Sequence, residues 1–273
     1  MSDANYRGKG RGLIPDPSDK RDYLLSAVSP IKESSFSYPM TPVRDQGQRS
    51  TCVGFSSTAV KEYYDNKERG GIYIYSPNHL YYMCKQNDGY PNEDGTSIRV
   101  AMKMLTDTGV APESDWPYEE ENVPNTSLLA KDAVTQRIKS YARLTNSRDM
   151  LASLTLQGPF VIGVLVTEGF YTKDCIENGI VDISIPADDS SGGHAIAVCG
   201  YDADNHRFRV KNSWGTGYGD KGYIWIGRDF FDGPNLIDAW AMVDDADIDK
   251  NLILVKPPKT HRWHFPPFRD LFF

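Results

Sequence analysis

The chain has 273 residues, enough for one large domain or two modest lobes around a shared cleft. Hydrophobic residues make up 40% and charged residues 25%, as in an ordinary globular protein, and the formal net charge is -7. No Lys/Arg run is long enough for a nucleic-acid footprint, and the apolar run Phe160 to Val166 is far too short to cross a bilayer, so neither nucleic acid nor membrane is an expected partner.

The segment Met1 to Gly12 is polar and glycine-rich and lacks the apolar stretch of a secretory signal. The expected location is the cytoplasm, or outside it by a route without a standard signal peptide. The four cysteines, Cys52, Cys84, Cys175 and Cys199, form no paired pattern, which suits a reduced compartment. His261 and His264 lie close together but without further ligands, and no cofactor or metal is expected.

In chain order, residues 1–38 carry many Gly, Pro, Ser and charged residues and are expected to form an extended leader, not a packed element. Apolar residues at helical spacing predict a helix over Thr51 to Arg69, capped by Ser50 or Thr51 and ended by Gly70-Gly71. Further helices are predicted over Ser76 to Lys85 and Ser97 to Thr106. Leu128 to Ile138 reads as a short helix or crossover. Strands are predicted at Phe160 to Val166, Gly179 to Ile185, Ala195 to Val198, Arg207 to Lys211 and Tyr223 to Gly227. A helix-rich first half followed by a strand-rich second half is an α+β pattern of two unlike lobes with a seam between them.

Cys52 falls in the first turn of the first long helix, where unpaired N–H groups and the helix dipole favour a thiolate. Gln46-Gly47 sits on the loop feeding that helix. An amide N–H of Gln46 beside the Cys52 backbone N–H would make two convergent donors for an oxyanion. His194 opens a strand that turns at Asp202 to Asn205 and returns through Arg207 to Asn212. Folded as a hairpin, opposite residues sum to roughly 407 to 409, which sets His194 close to Asn212. An Asn212 carbonyl there would fix the imidazole tautomer and aim the other ring nitrogen at a thiol.

Three blocks carry a resemblance. Pro42-Val43-Arg44-Asp45-Gln46-Gly47-Gln48-Arg49-Ser50-Thr51-Cys52-Val53-Gly54-Phe55 resembles the nucleophile segment of the papain family of cysteine peptidases. Gly193-His194-Ala195-Ile196-Ala197-Val198-Cys199-Gly200-Tyr201 resembles its histidine strand, and Lys211-Asn212-Ser213-Trp214-Gly215 through Gly222-Tyr223 its asparagine segment. The order is the family's, and the 142 residues from Cys52 to His194 lie within the roughly 130–150 expected of it.

The resemblance implies a papain-like α+β fold, with a helical lobe over about 39–127, a β-barrel-like lobe over about 128–248 and the active site between them. It implies a peptidase domain over 39–248 and leaves 249–273 as a Pro/aromatic tail. It further implies Cys52, His194, Asn212 and Gln46 as catalytic residues. Trp214 would shield the His194–Asn212 hydrogen bond, and Gly95, Ala195 and Trp214 would contact substrate. The expected reaction is hydrolysis of peptide or protein substrates through a thioester, and the expected self-contact is the leader in the cleft.

There are departures: Arg49 stands where many relatives have a disulfide cysteine, Val53 where they have Trp, and no cysteine follows Trp116-Pro117-Tyr118. These losses look like a bacterial or viral branch. Other acyl transfer on the same triad, such as deamidation, and a non-catalytic peptide-binding relative are the alternatives. The Gly54-Phe55-Ser56 stretch disfavours a serine nucleophile because it lacks the closing glycine of an elbow.

Overall fold

The computed structural model describes residues 3–17, 19–243 and 248–256. The aromatic tail expected over 249–273 falls outside these residues from 257 onward.

The elements run in chain order as follows. A one-turn helix α1 (Ala4–Arg7) precedes strands β1 (Leu24–Ala27) and β2 (Phe36–Ser37). Helices α2 (Cys52–Arg69), α3 (Pro77–Lys85), α4 (Ile98–Asp107) and α5 (Thr126–Ala133) form the first lobe. Then come β3 (Ser140–Arg143), α6 (Ser147–Leu156), β4 (Phe160–Leu165), α7 (Lys173–Asn178), β5 (Gly193–Asp202), β6 (Arg207–Lys211), β7 (Tyr223–Gly227), β8 (Leu236–Val243) and β9 (Leu252–Val255).

Local chemistry sets the helix ends. Ser76 and Ser97 cap α3 and α4 by accepting from the N–H groups of His79 and Val100, and Pro77 occupies the first position of α3, where its missing N–H costs nothing. Helix α2 stops at Gly70, whose φ of 62° few other residues adopt readily. Thr51 precedes α2, but its side chain makes no capping bond. Its hydroxyl instead meets the Tyr118 hydroxyl at 2.8 Å.

The strands form one mixed sheet in the order β7-β6-β5-β4-β8-β3-β1-β9, with β2 pairing β5. The path is open at β7 and β9, so the sheet does not close as the barrel-like expectation implied. Gly179 to Ile185 is not a strand. Gly179 ends α7 in the left-handed conformation, and the only pairing here is an isolated bridge from Ile180 to Trp225. Its alternating apolar residues cover the sheet edge without joining a ladder.

The leader also departs from expectation. It is a packed part of the fold: β1 lies between β3 and β9, pairing Leu25 with Leu254 and Ala27 with Leu252, and Leu25 is buried.

One face of α2 packs against the sheet. Cys52, Val53 and Val60 share a core with Val161, Ala195, Ala197 and Trp240. A buried ionic network reinforces this seam. Arg44 reaches Glu62 on α2, Glu62 accepts from Thr41 and from the Tyr75 N–H, and Lys211 of β6 donates to Thr41 at 3.0 Å. Burial pulls the Lys211 ammonium down to about 8, against the attraction of Glu62. The network and the shared core fix the start of α2 relative to the start of β5 and the end of β6.

Candidate active site

Those three chain positions carry Cys52, His194 and Asn212. Cys52 is the first residue of α2 and is fully buried. Close approach of α3 is allowed by Gly54, where a Cβ would stand 2.7 Å from the Pro77 carbonyl oxygen.

The hairpin register follows the expected sum. Ala197 pairs with Lys211 and Val198 with Val210, and a bulge then shifts the pairing to Gly200 with Arg209. Beyond the last pair, His194 Nε2 lies 2.9 Å from Asn212 Oδ1. That oxygen also accepts from the Ser213 N–H at 2.8 Å, so it is the amide's acceptor end and Nε2 carries the ring proton. Nδ1 is left without a hydrogen-bond partner among the described residues. Trp214 stacks on the imidazole at 4.9 Å and 27° and is itself buried, which keeps water from that flank of the His194–Asn212 bond.

Gln46 is held on three sides. Its N–H donates to the Ser213 carbonyl at 2.9 Å, its carbonyl accepts from the Tyr118 hydroxyl at 2.7 Å, and its Oε1 accepts from the Ser213 hydroxyl at 2.6 Å. Since Oε1 is committed, the amide orientation is determined. Nε2 donates to the Arg49 carbonyl at 2.7 Å and to the Gly10 carbonyl at 3.1 Å.

Gly10 belongs to the leader, which runs through the cleft. The Gly10 N–H donates to the Gly47 carbonyl, and the Gly12 N–H donates to Cys52 Sγ at 3.3 Å. The Leu13 N–H donates to the Gly193 carbonyl at 3.1 Å. Thr96 takes both sides of a parallel bridge, giving its N–H to the Gly12 carbonyl and accepting from the Ile14 N–H, each at 2.9 Å. Leu13 is buried in a pocket with Ile98, Val161 and Ala195. The pocket exists because residue 163 is glycine: a Cβ there would come within 2.3 Å of Leu13 Cδ2. The leader threads this narrow passage because it is glycine at two key places. A Cβ on Gly10 would lie 1.9 Å from the Arg49 carbonyl oxygen, and one on Gly12 would lie 2.2 Å from that of Ser50.

The cover changes the electrostatics. A thiolate was the expectation for Cys52 at a helix start. Instead burial pushes its thiol above the ordinary 9.0, against the pull of the Ala195, Gly12 and Val53 N–H groups. Burial likewise lowers His194 to about 4, despite its hydrogen bond to Asn212. Both groups are therefore neutral at pH 7 in the covered state. This makes a prediction for the intact chain. Burial holds Cys52 as the neutral thiol, so iodoacetamide labelling of the intact chain should be slow at pH 7 and should rise with pH. Labelling measured from pH 6 to 10 checks it, and a plateau reached by pH 7 would contradict the covered geometry.

The sequence-predicted residues thus fall in one place. The Ala195 N–H faces the Cys52 thiol, Asn212 and Trp214 contact His194, and Gln46 is tied to Ser213 beside Asn212. Gly95, an expected substrate contact, lies beside Thr96 in the cleft. It packs against Gly12, where a Cβ would be 2.4 Å from the Gly12 carbonyl oxygen, while Thr96 makes the backbone bonds. Ser213, Thr96 and Gly163 were missed. So were Gly10 and Gly12, although the alternation Gly8-Lys9-Gly10-Arg11-Gly12 was a visible sign of a backbone pressed against another surface.

The profile described as papain family cysteine protease matches residues 31–235. The chain belongs to that family. Its fold is similar to xylellain, a cysteine protease from Xylella fastidiosa, with a TM-score of 0.73 and 27% identity, covering 85% of this chain and 95% of that one. An uncharacterized peptidase C1-like protein of Acanthamoeba polyphaga mimivirus is 27% identical over 218 residues, 74% of this chain and 70% of its own. Cysteine proteinase 3 of Entamoeba histolytica is 26% identical over 223 residues, 80% of this chain and 70% of its own. The chain is a papain-like cysteine peptidase.

Proposed function

We propose that this peptidase cleaves peptide bonds through a thioester on Cys52, and that the intact chain is its latent form. The observation that carries the reading is the arrangement of three groups along the seam between the lobes. These are a thiol at a helix start, an imidazole whose Nε2 is tied to Asn212, and a Gln46 amide with its N–H end turned toward the cleft.

With the cleft open, His194 Nδ1 is the nitrogen free to take the Cys52 proton. The thiolate sulfur then bonds to the scissile carbonyl carbon, and the carbonyl oxygen gains the charge. Gln46 Nε2 and the Cys52 N–H donate to that oxygen. The C–N bond breaks as His194 returns its proton to the leaving amine, leaving a thioester. A water molecule then attacks the thioester carbon, giving its proton to His194. The C–S bond breaks, the acid product leaves and the thiol is restored. Asn212 keeps the ring aimed throughout, and Trp214 keeps that hydrogen bond dry.

The leader does not satisfy this geometry. It offers Cys52 the Gly12 N–H and not a carbonyl carbon, so it blocks without being cut. We place the leaving amine on the Trp214 flank of the imidazole and the acyl part along Thr96, to which the leader bridges in parallel. The leader runs from the first flank to the second, opposite to a productive substrate.

Replacing Gln46 by Ala removes one oxyanion donor and should lower acylation by the order of 10²–10³. Acid-quenched mass spectrometry of a peptide ester reads the thioester on Cys52 directly. Both measurements use the chain opened by Gly10→Ala and Gly12→Ala: parental accumulation rates after Gln46→Ala would contradict the role given to Gln46, and no adduct on Cys52 in the opened parent would contradict the thioester.

A further inference from the structure

The part of the leader on the leaving-group flank carries cations at alternate positions, Arg7, Lys9 and Arg11, with no acid between them. Each meets a built partner on the body. Arg7 makes a two-pronged contact with Glu168, Nη1 to Oε1 at 2.6 Å and Nη2 to Oε2 at 2.7 Å, while its Nε holds Asp3 of the leader at 3.0 Å. The same guanidinium lies 4.6 Å above the ring centre of Tyr171. Lys9 Nζ reaches both oxygens of Asp45, at 2.7 and 2.5 Å. Arg11 donates to the Ser190 carbonyl at 3.4 Å.

The Arg7 position has the chemistry of an arginine subsite. A planar guanidinium is met edge-on by a carboxylate and face-on by an aromatic ring, which an ammonium cannot match. The platform is made by the body. Tyr171 follows the short 3-10 turn Glu168–Phe170, whose start is fixed by Thr167 accepting from the Gly169 N–H. The Tyr171 ring runs parallel to Trp214, at 5° and 6.2 Å, and Trp214 in turn stacks on His194. A cation placed on Tyr171 therefore stands at the end of a continuous stack that leads to the imidazole. The Arg7 contact holds the Glu168 carboxyl below its ordinary value, while Asp188 nearby adds to the negative field. The leader must leave for any substrate to enter, and Glu168, Tyr171 and Asp45 then line the vacated flank.

We infer that Glu168 and Tyr171 form an arginine-selecting subsite on the leaving-group side of the cleft, reinforced by Asp45. The preferred substrates are cationic peptides with an arginine a few residues beyond the cut. This rests on the peptidase reading above. The leader is then a mimic of substrate charge carried in the opposite chain direction.

The test uses the full chain with Gly10→Ala and Gly12→Ala, which crowd the leader out of the cleft. Leu13→Asp does the same through a different residue, should the glycine pair fail to fold. Synthetic peptides are compared in pairs that differ only by arginine or citrulline at each position beyond the cut. Citrulline keeps the shape and removes the charge. The expected result is kcat/KM about tenfold higher for arginine at one of these positions. Glu168→Gln should erase that ratio. Cleavage of both peptides at equal rates would overturn the subsite while leaving the peptidase reading intact. Hydrolysis of neither peptide by either opened chain would overturn both.

Discussion

Replacing both Gly10 and Gly12 by Ala should raise hydrolysis of a small peptide substrate by about 10³-fold or more over the intact chain. Each added methyl meets a backbone carbonyl oxygen, at 1.9 Å from Arg49 and 2.2 Å from Ser50. Backbone at the start of α2 cannot yield, because Arg49 is tied to Tyr118 and Asn78, and the Gln46 amide holds the Arg49 carbonyl. Overpacking of this kind costs roughly 1–3 kcal/mol per site, and two sites together reach about three decades in the population of the open cleft. The substitutions spare the body: neither glycine lies in β1, and the strand pairing of Leu24 to Ala27 is untouched. Removing the whole leader is a different experiment. Cutting residues 1–35 takes β1 from between β3 and β9 and should lower the melting temperature. If the double variant melts normally and hydrolyses no faster than the intact chain, the leader is not what keeps the enzyme latent.

The second large effect is Cys52→Ala. Made in the opened chain, it should reduce peptide hydrolysis by the order of 10⁴–10⁶, since removal of a nucleophile leaves only what binding and oxyanion donors supply. The substitution leaves a small residue in a site that already holds a small one, so the fold should persist. Residual activity within about tenfold of the parent would mean that another group attacks the substrate.

Much of this site was legible because its parts are local. Cys52 at the start of α2 follows from helical spacing and from the glycine that ends the helix. The contact of His194 with Asn212 follows from counting across a short turn, because the bulge between Val198 and Gly200 moves the sum by only one, from 409 to 408. What escaped depends on contacts between distant segments. The leader reads as an extended segment with apolar anchors at Leu13-Ile14-Pro15 and Tyr23-Leu24-Leu25, but the partners of β1, Arg143 and Leu252 to Val255, lie more than a hundred residues away. Gly179 to Ile185 has strand-like alternation, but α7 ends on Gly179 and leaves the segment a single bridge. The thiol's ionisation was misjudged for the same reason. A helix start favours a thiolate only while water or an imidazolium can reach it, and here Gly12 and Leu13 exclude water. Gly163 could not be recognised as a pocket floor without knowing that Leu13 lies on it.

The central claim is that Cys52 is an intrinsically reactive nucleophile silenced by residues 10–13 of its own chain. Quantitative alkylation of all four cysteines, followed by mass spectrometry at neutral pH, tests it most directly when the intact chain and the Gly10→Ala/Gly12→Ala chain are run side by side. The account predicts that Cys52, Cys84, Cys175 and Cys199 all label slowly in the intact chain, where each is buried, and that only Cys52 becomes fast in the opened one. A Cys52 that labels equally in both chains, or no faster than Cys84, Cys175 and Cys199 after opening, would contradict it.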